Sequence, residues 1–322
     1  GTTISWKSSN PSVLSNEGKV TRPKKGAADE EVTLKGTVKM GDYAKARNFT
    51  FVVLAESEMG PTKEFALDQV ELLDDYYLTA QNSDIEFLKK FDNDRLLSRF
   101  RETAGLDTKK IAPYGGWEDG WLGGHSVGHY LTAIAQAVKA TGNADLKEKS
   151  KQLIEGLAEC QNKLGTGFIF GAKIETEGYV EKQFDILEGK TTGKTWVPWY
   201  NMHKMLTGLV DTYKYTGNKQ ALEVAKKLGD WIYNRVSKWD AGTQGRVLGT
   251  EYGGMNDCLY ELYLCTRDSK HLEAAHKFDQ PNLYKTVAKG GKNCLNGKHA
   301  NTTIPKFLGA LKRYVVLKHQ GT

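Results

Sequence analysis

At 322 residues the chain has room for one large domain, or for a small and a large one. Apolar residues at 39%, charged residues at 26% and a negative mean hydropathy fit a water-facing globular protein, and no run approaches the roughly 20 apolar residues of a membrane span. The net charge of +6 comes mostly from lysines scattered over helix faces, such as Lys147, Lys149 and Lys151; no arginine-rich, aromatic-interleaved stripe points to nucleic acid.

Residues 1–56 read as a β module. Ile4-Ser5-Trp6, Gly18-Lys19-Val20-Thr21, Glu31 to Val38 and Asn48 to Leu54 alternate apolar and polar side chains, and Ser8-Ser9-Asn10-Pro11, Asn16-Glu17-Gly18 and Met40-Gly41-Asp42 turn the chain between them. Short strands in so few residues suggest a small sandwich. The phrase Ile4-Ser5-Trp6-Lys7-Ser8-Ser9-Asn10-Pro11-Ser12-Val13 resembles bacterial immunoglobulin-like modules, with the first strand missing. That resemblance implies a spacer on a secreted or cell-surface bacterial protein. The abrupt start at Gly1 and stop at Thr322 read as a fragment or a trimmed chain.

Residues 57–64, with Met59-Gly60-Pro61, are expected to be a linker, and 65–322 a helical domain. Val70, Leu72, Leu73, Tyr76 and Tyr77 open an apolar stripe continued by Ile85, Phe87, Leu88 and Phe91. Helical periodicity follows over 129–140, 146–164, 200–215, 220–236, 257–266 and 304–317. Thr141-Gly142-Asn143, Thr216-Gly217-Asn218 and a degraded Thr266-Arg267-Asp268 form a faint repeat, each ending one helix at a C′ glycine or its stand-in and opening the next at an Asn or Asp N-cap. Repeated helical pairs close most naturally as an α/α toroid, in which loops entering the inner helices build the site. The expected fold is therefore mainly α, an incomplete (α/α)6 toroid of helical hairpins preceded by a small, partial β-sandwich. A toroid left open would expose apolar helix faces along its edge and so self-associate.

Three segments carry the chemistry. The first runs from Trp117-Glu118 into Gly124-His125-Ser126-Val127-Gly128-His129-Tyr130, the second is Trp196-Val197-Pro198-Trp199-Tyr200-Asn201-Met202-His203-Lys204, and the third is Lys298-His299-Ala300-Asn301-Thr302-Thr303-Ile304-Pro305. Imidazole, amide and indole groups at helix mouths offer hydrogen bonds to hydroxyls and flat faces for ring C–H groups, as a sugar pocket needs. The plain alternative is that each histidine caps or packs its own helix. His125 and His129 share a face, but with no glutamate between them metal chelation gives way to one imidazole facing the funnel and the other orienting it or satisfying backbone. Pro198 suits a first helical position, Pro305 a first turn, and Trp196, Trp199 and Tyr200 a ring-stacking surface. In a fourth loop, Glu251 to Asp257, Asn256 is the candidate for a sugar hydroxyl. Cys160, Cys258, Cys265 and Cys294 lack CxxC spacing and read as buried thiols.

These phrases, with Asp94-Arg95-Leu96-Leu97, Phe100-Arg101-Glu102-Thr103-Ala104-Gly105-Leu106, Gly253-Gly254-Met255-Asn256 and His299-Ala300-Asn301-Thr302, resemble the β-L-arabinofuranosidase family, glycoside hydrolase families 127 and 146, from about Phe65 to the last residue. The resemblance implies an (α/α)6 barrel that releases β-L-arabinofuranosyl units from plant glycans with retention. Its nucleophile would be a cysteine thiolate held on zinc, and a carboxyl group would serve as acid/base. The zinc-binding phrases, Glu-x-Cys and Cys-Cys, normally follow the His-Ala-Asn-Thr segment and are missing here, so no cysteine is promoted to nucleophile and no zinc is expected to bind. What the resemblance leaves is the sugar-gripping wall: His203 and His299 first, then His129, Asn256, Trp117, Asn301, His125 and Tyr200. Two other readings stay open, a different α/α-barrel sugar enzyme (an epimerase or lyase) and a non-catalytic carbohydrate-binding protein.

Overall fold

The computed structural model describes residues 1–56, 64–172, 179–290 and 293–318. Two compact units divide the chain: Gly1–Phe65 with Tyr314–Thr322, and Ala66–Arg313. All but Glu64 of the expected linker lies outside the described residues.

The N-terminal unit is a three-stranded antiparallel sheet, β1 (Thr2–Ser8), β2 (Glu30–Met40) and β3 (Tyr43–Val53), in that order. A two-residue turn joins β2 to β3, and its Gly41 sits at φ +59°, where glycine alone is unstrained. The register pairs Trp6 with Gly36, and Leu34 with Phe49, so Trp6, Val32, Leu34, Phe49, Phe51 and Val53 share one face. Trp6 lies across Gly36, where a Cβ would come within 2.7 Å of the indole. The expected strand at Gly18–Thr21 is reduced to a single bridge, Leu14 to Val20, since the turn-rich 10–20 segment folds back instead of extending. Val13 and Leu14 from that segment bury Val32 and Val53, while Trp6, Phe49 and Phe51 stay exposed.

In the second unit, α1 (Asp75–Lys89) and α2 (Asn93–Ala104) lead into α3 (His125–Thr141), α4 (Ala144–Leu164), α5 (Lys182–Leu187), α6 (Pro198–Thr216), α7 (Lys219–Val236), α8 (Ala241–Leu248), α9 (Met255–Thr266), α10 (Ser269–Lys277), α11 (Pro281–Ala288) and α12 (Ala300–Lys318), of which the residues from Tyr314 on group with the first unit. The repeat marks the turns of three hairpins, α3–α4, α6–α7 and α9–α10. Gly142, Gly217 and Arg267 each take the left-handed conformation, and Asn143, Asn218 and Asp268 each accept a backbone N–H of the next helix. Across hairpins α6 packs between α3 and α9, and α7 between α4 and α10. Two parallel rows of helices result, the arrangement of an (α/α)6 toroid, with α3, α6 and α9 as the inner row.

Three expectations change. Trp199 is no stacking surface: it is fully buried in an aromatic cluster with Phe184, Trp231, Trp239 and Phe278, at centroid distances of 4.9–6.1 Å. Pro305 lies inside α12 rather than in its first turn, because the helix already begins at Ala300. The α1 stripe is mostly open to water: Leu73, Tyr76, Tyr77 and Phe87 are exposed, and Ile85 is the helix's one buried residue. Ile304, Leu308 and Leu311 on α12 are exposed as well.

Candidate sugar-binding site

The first mouth is built around Glu118. The α3 N-cap, Gly124, has no side chain to bind the free N–H groups that begin a helix. Glu118 replaces it: its carboxylate accepts the N–H of Gly124 at 2.6 Å and of Ser126 at 2.9 Å. The same carboxylate lies 3.0 Å from His125 Nδ1, which also donates to the Leu122 carbonyl at 2.6 Å. Burial opposes the charge on both groups, but the hydrogen bonds outweigh it, holding Glu118 below the usual carboxylate range and raising His125 above the ordinary imidazole. His125 is thus the member of the pair held by a carboxylate and a backbone carbonyl. His129, one turn on, stands edge-on to it at 6.0 Å and faces water.

The second mouth is pressed against the first by two glycines. A Cβ on Gly128 would fall 2.1 Å from the Lys204 carbonyl oxygen, and one on Gly208 would fall 2.5 Å from the Gly128 carbonyl oxygen. The α3 and α6 backbones touch there, which sets His125 and His129 beside Tyr200, His203 and Lys204. Tyr200 lies 6.2 Å from His125, centroid to centroid, and the Lys204 ammonium sits 4.8 Å over its ring. Among the described residues Lys204 has no ion-pair partner, and burial lowers its affinity for the proton. Lys204 lies within the second motif, where the sequence alone gives it no role. Its spacing of four from Tyr200 was the available signal.

His203 is buried and wrapped by the loop ahead of α9. Its Nδ1 accepts the Gly254 N–H at 3.0 Å, which puts the ring proton on Nε2. Gly253 is left-handed at φ +59°, and a Cβ there would strike Nδ1 at 2.4 Å; one on Gly254 would lie 2.9 Å from Nε2 and 3.5 Å from Pro305. Burial, with Lys204 and His129 nearby, keeps His203 well below the ordinary imidazole value; desolvation first, then the charges of Lys204 and His125, pull His129 down to about 4. At neutral pH both rings are therefore uncharged, and His203 keeps only its Nε2–H for a further partner.

The third segment reaches this mouth through Asn301, whose amide donates to Glu251 at 3.2 Å, on the loop that wraps His203. His299, two residues earlier, is exposed, and its ring makes no contact with the other imidazoles among the described residues. Trp117 is exposed, next to the Glu118 cap. Asn256 is different: it is fully buried, its amide donating to Asp279 at 3.1 Å and Tyr284 at 3.3 Å. Gly309 packs so close that a Cβ there would overlap the amide. No face of Asn256 is left for a hydroxyl, so it pins α9 to α11 and α12 and is not a sugar ligand. A groove of about 640 Å³ between α2 and α4, lined by Asp94, Arg101, Lys149, Glu155 and Glu159 among others, contains none of these residues.

The residues present do not fit a zinc-held thiolate. Cys160 and Cys258 are buried on separate helices, and burial pushes their thiols up, that of Cys160 to about 12. Cys265 and Cys294 are half-buried. Among the described residues, the one cluster of three ligand-type side chains holds no cysteine.

A family model described as β-L-arabinofuranosidase, GH127 catalytic domain, matches residues 69–322, and one described as atrophied bacterial Ig domain matches 1–56. No curated protein matches the chain. Among solved structures it is similar to Ara127N-Se, a GH127 β-L-arabinofuranosidase from Geobacillus stearothermophilus T6, at 18% identity over 72% of this chain and 34% of that one, TM-score 0.41. A second is the GH127 β-arabinofuranosidase BT3674, at 16% identity over 66% and 33%, TM-score 0.45. The chain spans about a third of the length of each of these structures.

Proposed function

Because the chain belongs to the GH127 β-L-arabinofuranosidase catalytic-domain family, we propose that it forms the sugar-gripping wall of a glycoside hydrolase that releases β-L-arabinofuranosyl units from plant glycans. The observation that supports this reading is the close crossing of α3 and α6, which brings His125 of α3 beside Tyr200 of α6, with Lys204 over the Tyr200 ring. In this reading neutral His129 and the Nε2–H of His203 bind ring hydroxyls, and Tyr200 offers an apolar face. Lys204 donates to a sugar oxygen, while His299 and Asn301 complete the rim from α12. His125 orients the wall from beneath, through Glu118. The retaining zinc-thiolate step is assigned to none of the four cysteines here, and no step is routed through them. Residues 1–56 are proposed as a spacer, 57–64 as a linker and 65–322 as part of the catalytic domain, in a bacterial protein that is secreted or at the cell surface. No helix among the described residues is long and apolar enough to cross a membrane. The open faces of α1 and α12 are proposed to drive self-association.

The test is titration of the chain with methyl β-L-arabinofuranoside, followed by NMR at the histidine Cε1–H groups. Shifts at His129 and His203 that saturate, with affinity weakened at least about tenfold (1.4 kcal/mol) in His129→Ala, support the reading. No shift at either ring would overturn it.

A further inference from the structure

The N-terminal sheet is amphipathic, and one half of its apolar face has no cover. By register, Ile4 and Trp6 of β1, Val38 and Met40 of β2, and Tyr43 and Phe49 of β3 lie on one side. Lys7, Lys35 and Lys39 lie on the other, among serine and threonine residues. The segment holding Val13 and Leu14 covers the apolar side only around Val32 and Val53, and all six residues named first are exposed.

Two features make this more than a bare apolar patch. The first is the lie of Trp6. Three carbons of its six-membered ring come within 2.7–3.1 Å of the place a Cβ on Gly36 would take. Distances so alike mean that the ring lies flat over the glycine, one face to the sheet and one to water, and Trp6 is 43% exposed. Phe49 flanks it at a centroid distance of 5.7 Å, tilted by 51°. The second feature is charge. Lys45 shares a rung with Ile4 and Val38, and Arg47 shares one with Trp6 and Gly36, so both cations belong to the apolar side. The Arg47 guanidinium rests 5.6 Å from the centre of the Phe49 ring. Neither cation has a carboxylate partner among the described residues. The one carboxylate that the three strands place on this side is Glu30, opposite Val53 at the covered end.

A flat indole face takes the C–H side of a sugar ring, and a guanidinium beside it takes a carboxylate through two parallel N–H···O bonds. We propose that this open half of the sheet binds an acidic polysaccharide of uronic-acid residues, stacked on Trp6 with its carboxylates on Arg47 and Lys45. β1 and β3 are two strand spacings apart, about 10 Å, so the ligand spans at least two sugar rings. Other occupants fit less well. A second copy packed by the same face brings two further cations and no carboxylate. A lipid surface takes up aromatic side chains that project into it, whereas Trp6 lies down on its own sheet. A neutral glycan leaves both cations idle. The platform shares no residue with the sugar-gripping wall, and it gives residues 1–56 a hold on the glycan beyond that of a spacer.

The experiment is calorimetry of the full chain with tetragalacturonate, and with the same oligomer methyl-esterified, which keeps the rings and removes the charge. The acid form should bind, and the ester at least about tenfold more weakly. Trp6→Ala and Arg47→Gln should each weaken the acid form by about tenfold. Lys35→Gln removes the same charge from the polar side and should change nothing, which separates the platform from the general attraction of a basic chain. Thermal melting checks the fold, and Arg47→Gln, at an exposed position, should melt with the parent. Methyl β-L-arabinofuranoside titration of the Arg47→Gln chain reads the wall separately. No binding of the acid form, equal binding of the ester, or equal losses in Arg47→Gln and Lys35→Gln would each overturn the assignment. So would loss of binding in Lys204→Gln but not in Arg47→Gln, which would move the site to the mouth, or Trp6-dependent binding to anionic phospholipid vesicles without binding to the oligomer.

Discussion

Replacing Gly128 by alanine tests the contact on which the wall depends. The new Cβ would lie 2.1 Å from the Lys204 carbonyl oxygen and 2.8 Å from the Met205 nitrogen, both backbone atoms that cannot swing aside. Ordinary contact is near 3.5 Å, so α3 and α6 must part by more than 1 Å. Overpacking of this kind costs about 1–3 kcal/mol, and an unyielding backbone places Gly128 at the top of that range. Alanine returns up to about 1 kcal/mol through helix propensity, leaving a net loss of about 2 kcal/mol. For a unit of this size that lowers Tm by roughly 4–8 °C. Gly245, within α8 and with nothing inside 4 Å of its Cβ position, is the control: alanine there should be neutral or stabilising. Thermal melting of both variants, with arabinofuranoside titration, decides the matter. Should Gly128→Ala melt no lower than the parent and bind sugar equally well, the close helix crossing does not set the wall.

Gly253→Ala combines a left-handed backbone with a clash at His203 Nδ1, so it should lower Tm and weaken sugar binding together, as read by melting and NMR titration. His129 should titrate near pH 4 rather than near 6.5 in a histidine NMR titration. Its pKa is depressed by folding, so between those values the unfolded chain binds more protons. The stability it contributes is complete above about pH 6.5 and is lost as pH falls toward 4, and His129→Gln should flatten that slope in acid-unfolding curves. Asn256→Ala should cost about 1–3 kcal/mol in denaturant unfolding by stranding buried partners, with little change in sugar affinity at the folded plateau. Glu118→Gln places an amide donor against backbone N–H groups. It should cost about 2 kcal/mol in the same assay and lower the His125 titration midpoint, since the partner that raises it is gone. A substitution that left His125 unmoved would refute the cap.

Much of the helical unit was legible because its turns are local. Thr-Gly-Asn codes for a left-handed stop followed by a side-chain cap, and both act within six residues. Even the degraded Thr266-Arg267-Asp268 copy takes the same shape, with Arg267 forced to φ 56°. Trp199 was misjudged because its burial depends on Trp231, Trp239 and Phe278, distant in sequence and visible only after folding. Asn256 was misjudged for the same reason, since its partners lie on α11, α12 and the segment between α10 and α11. Gly128 and Gly208 read as ordinary helix residues in one dimension; their role exists only where two backbones cross. The α1 stripe shows the reverse error, a sound apolar pattern of which only Ile85 is buried in the helix, while Leu73, Tyr76, Tyr77 and Phe87 stay exposed.

The second motif shows why core and site residues alternate so tightly. At about 100° per residue, Trp199, Met202 and Leu206 fall within an arc of roughly 60°, and all three are buried. Tyr200 and Lys204 point about 100–140° from Trp199, toward the opening. His203 stands near 40°, between the two sectors. That position accounts for its environment: one edge held by the Gly254 N–H, the other carrying the proton on Nε2. The aromatic cluster under Trp199 therefore fixes the rotation of α6 and, through it, the direction in which His203 and Tyr200 leave the helix.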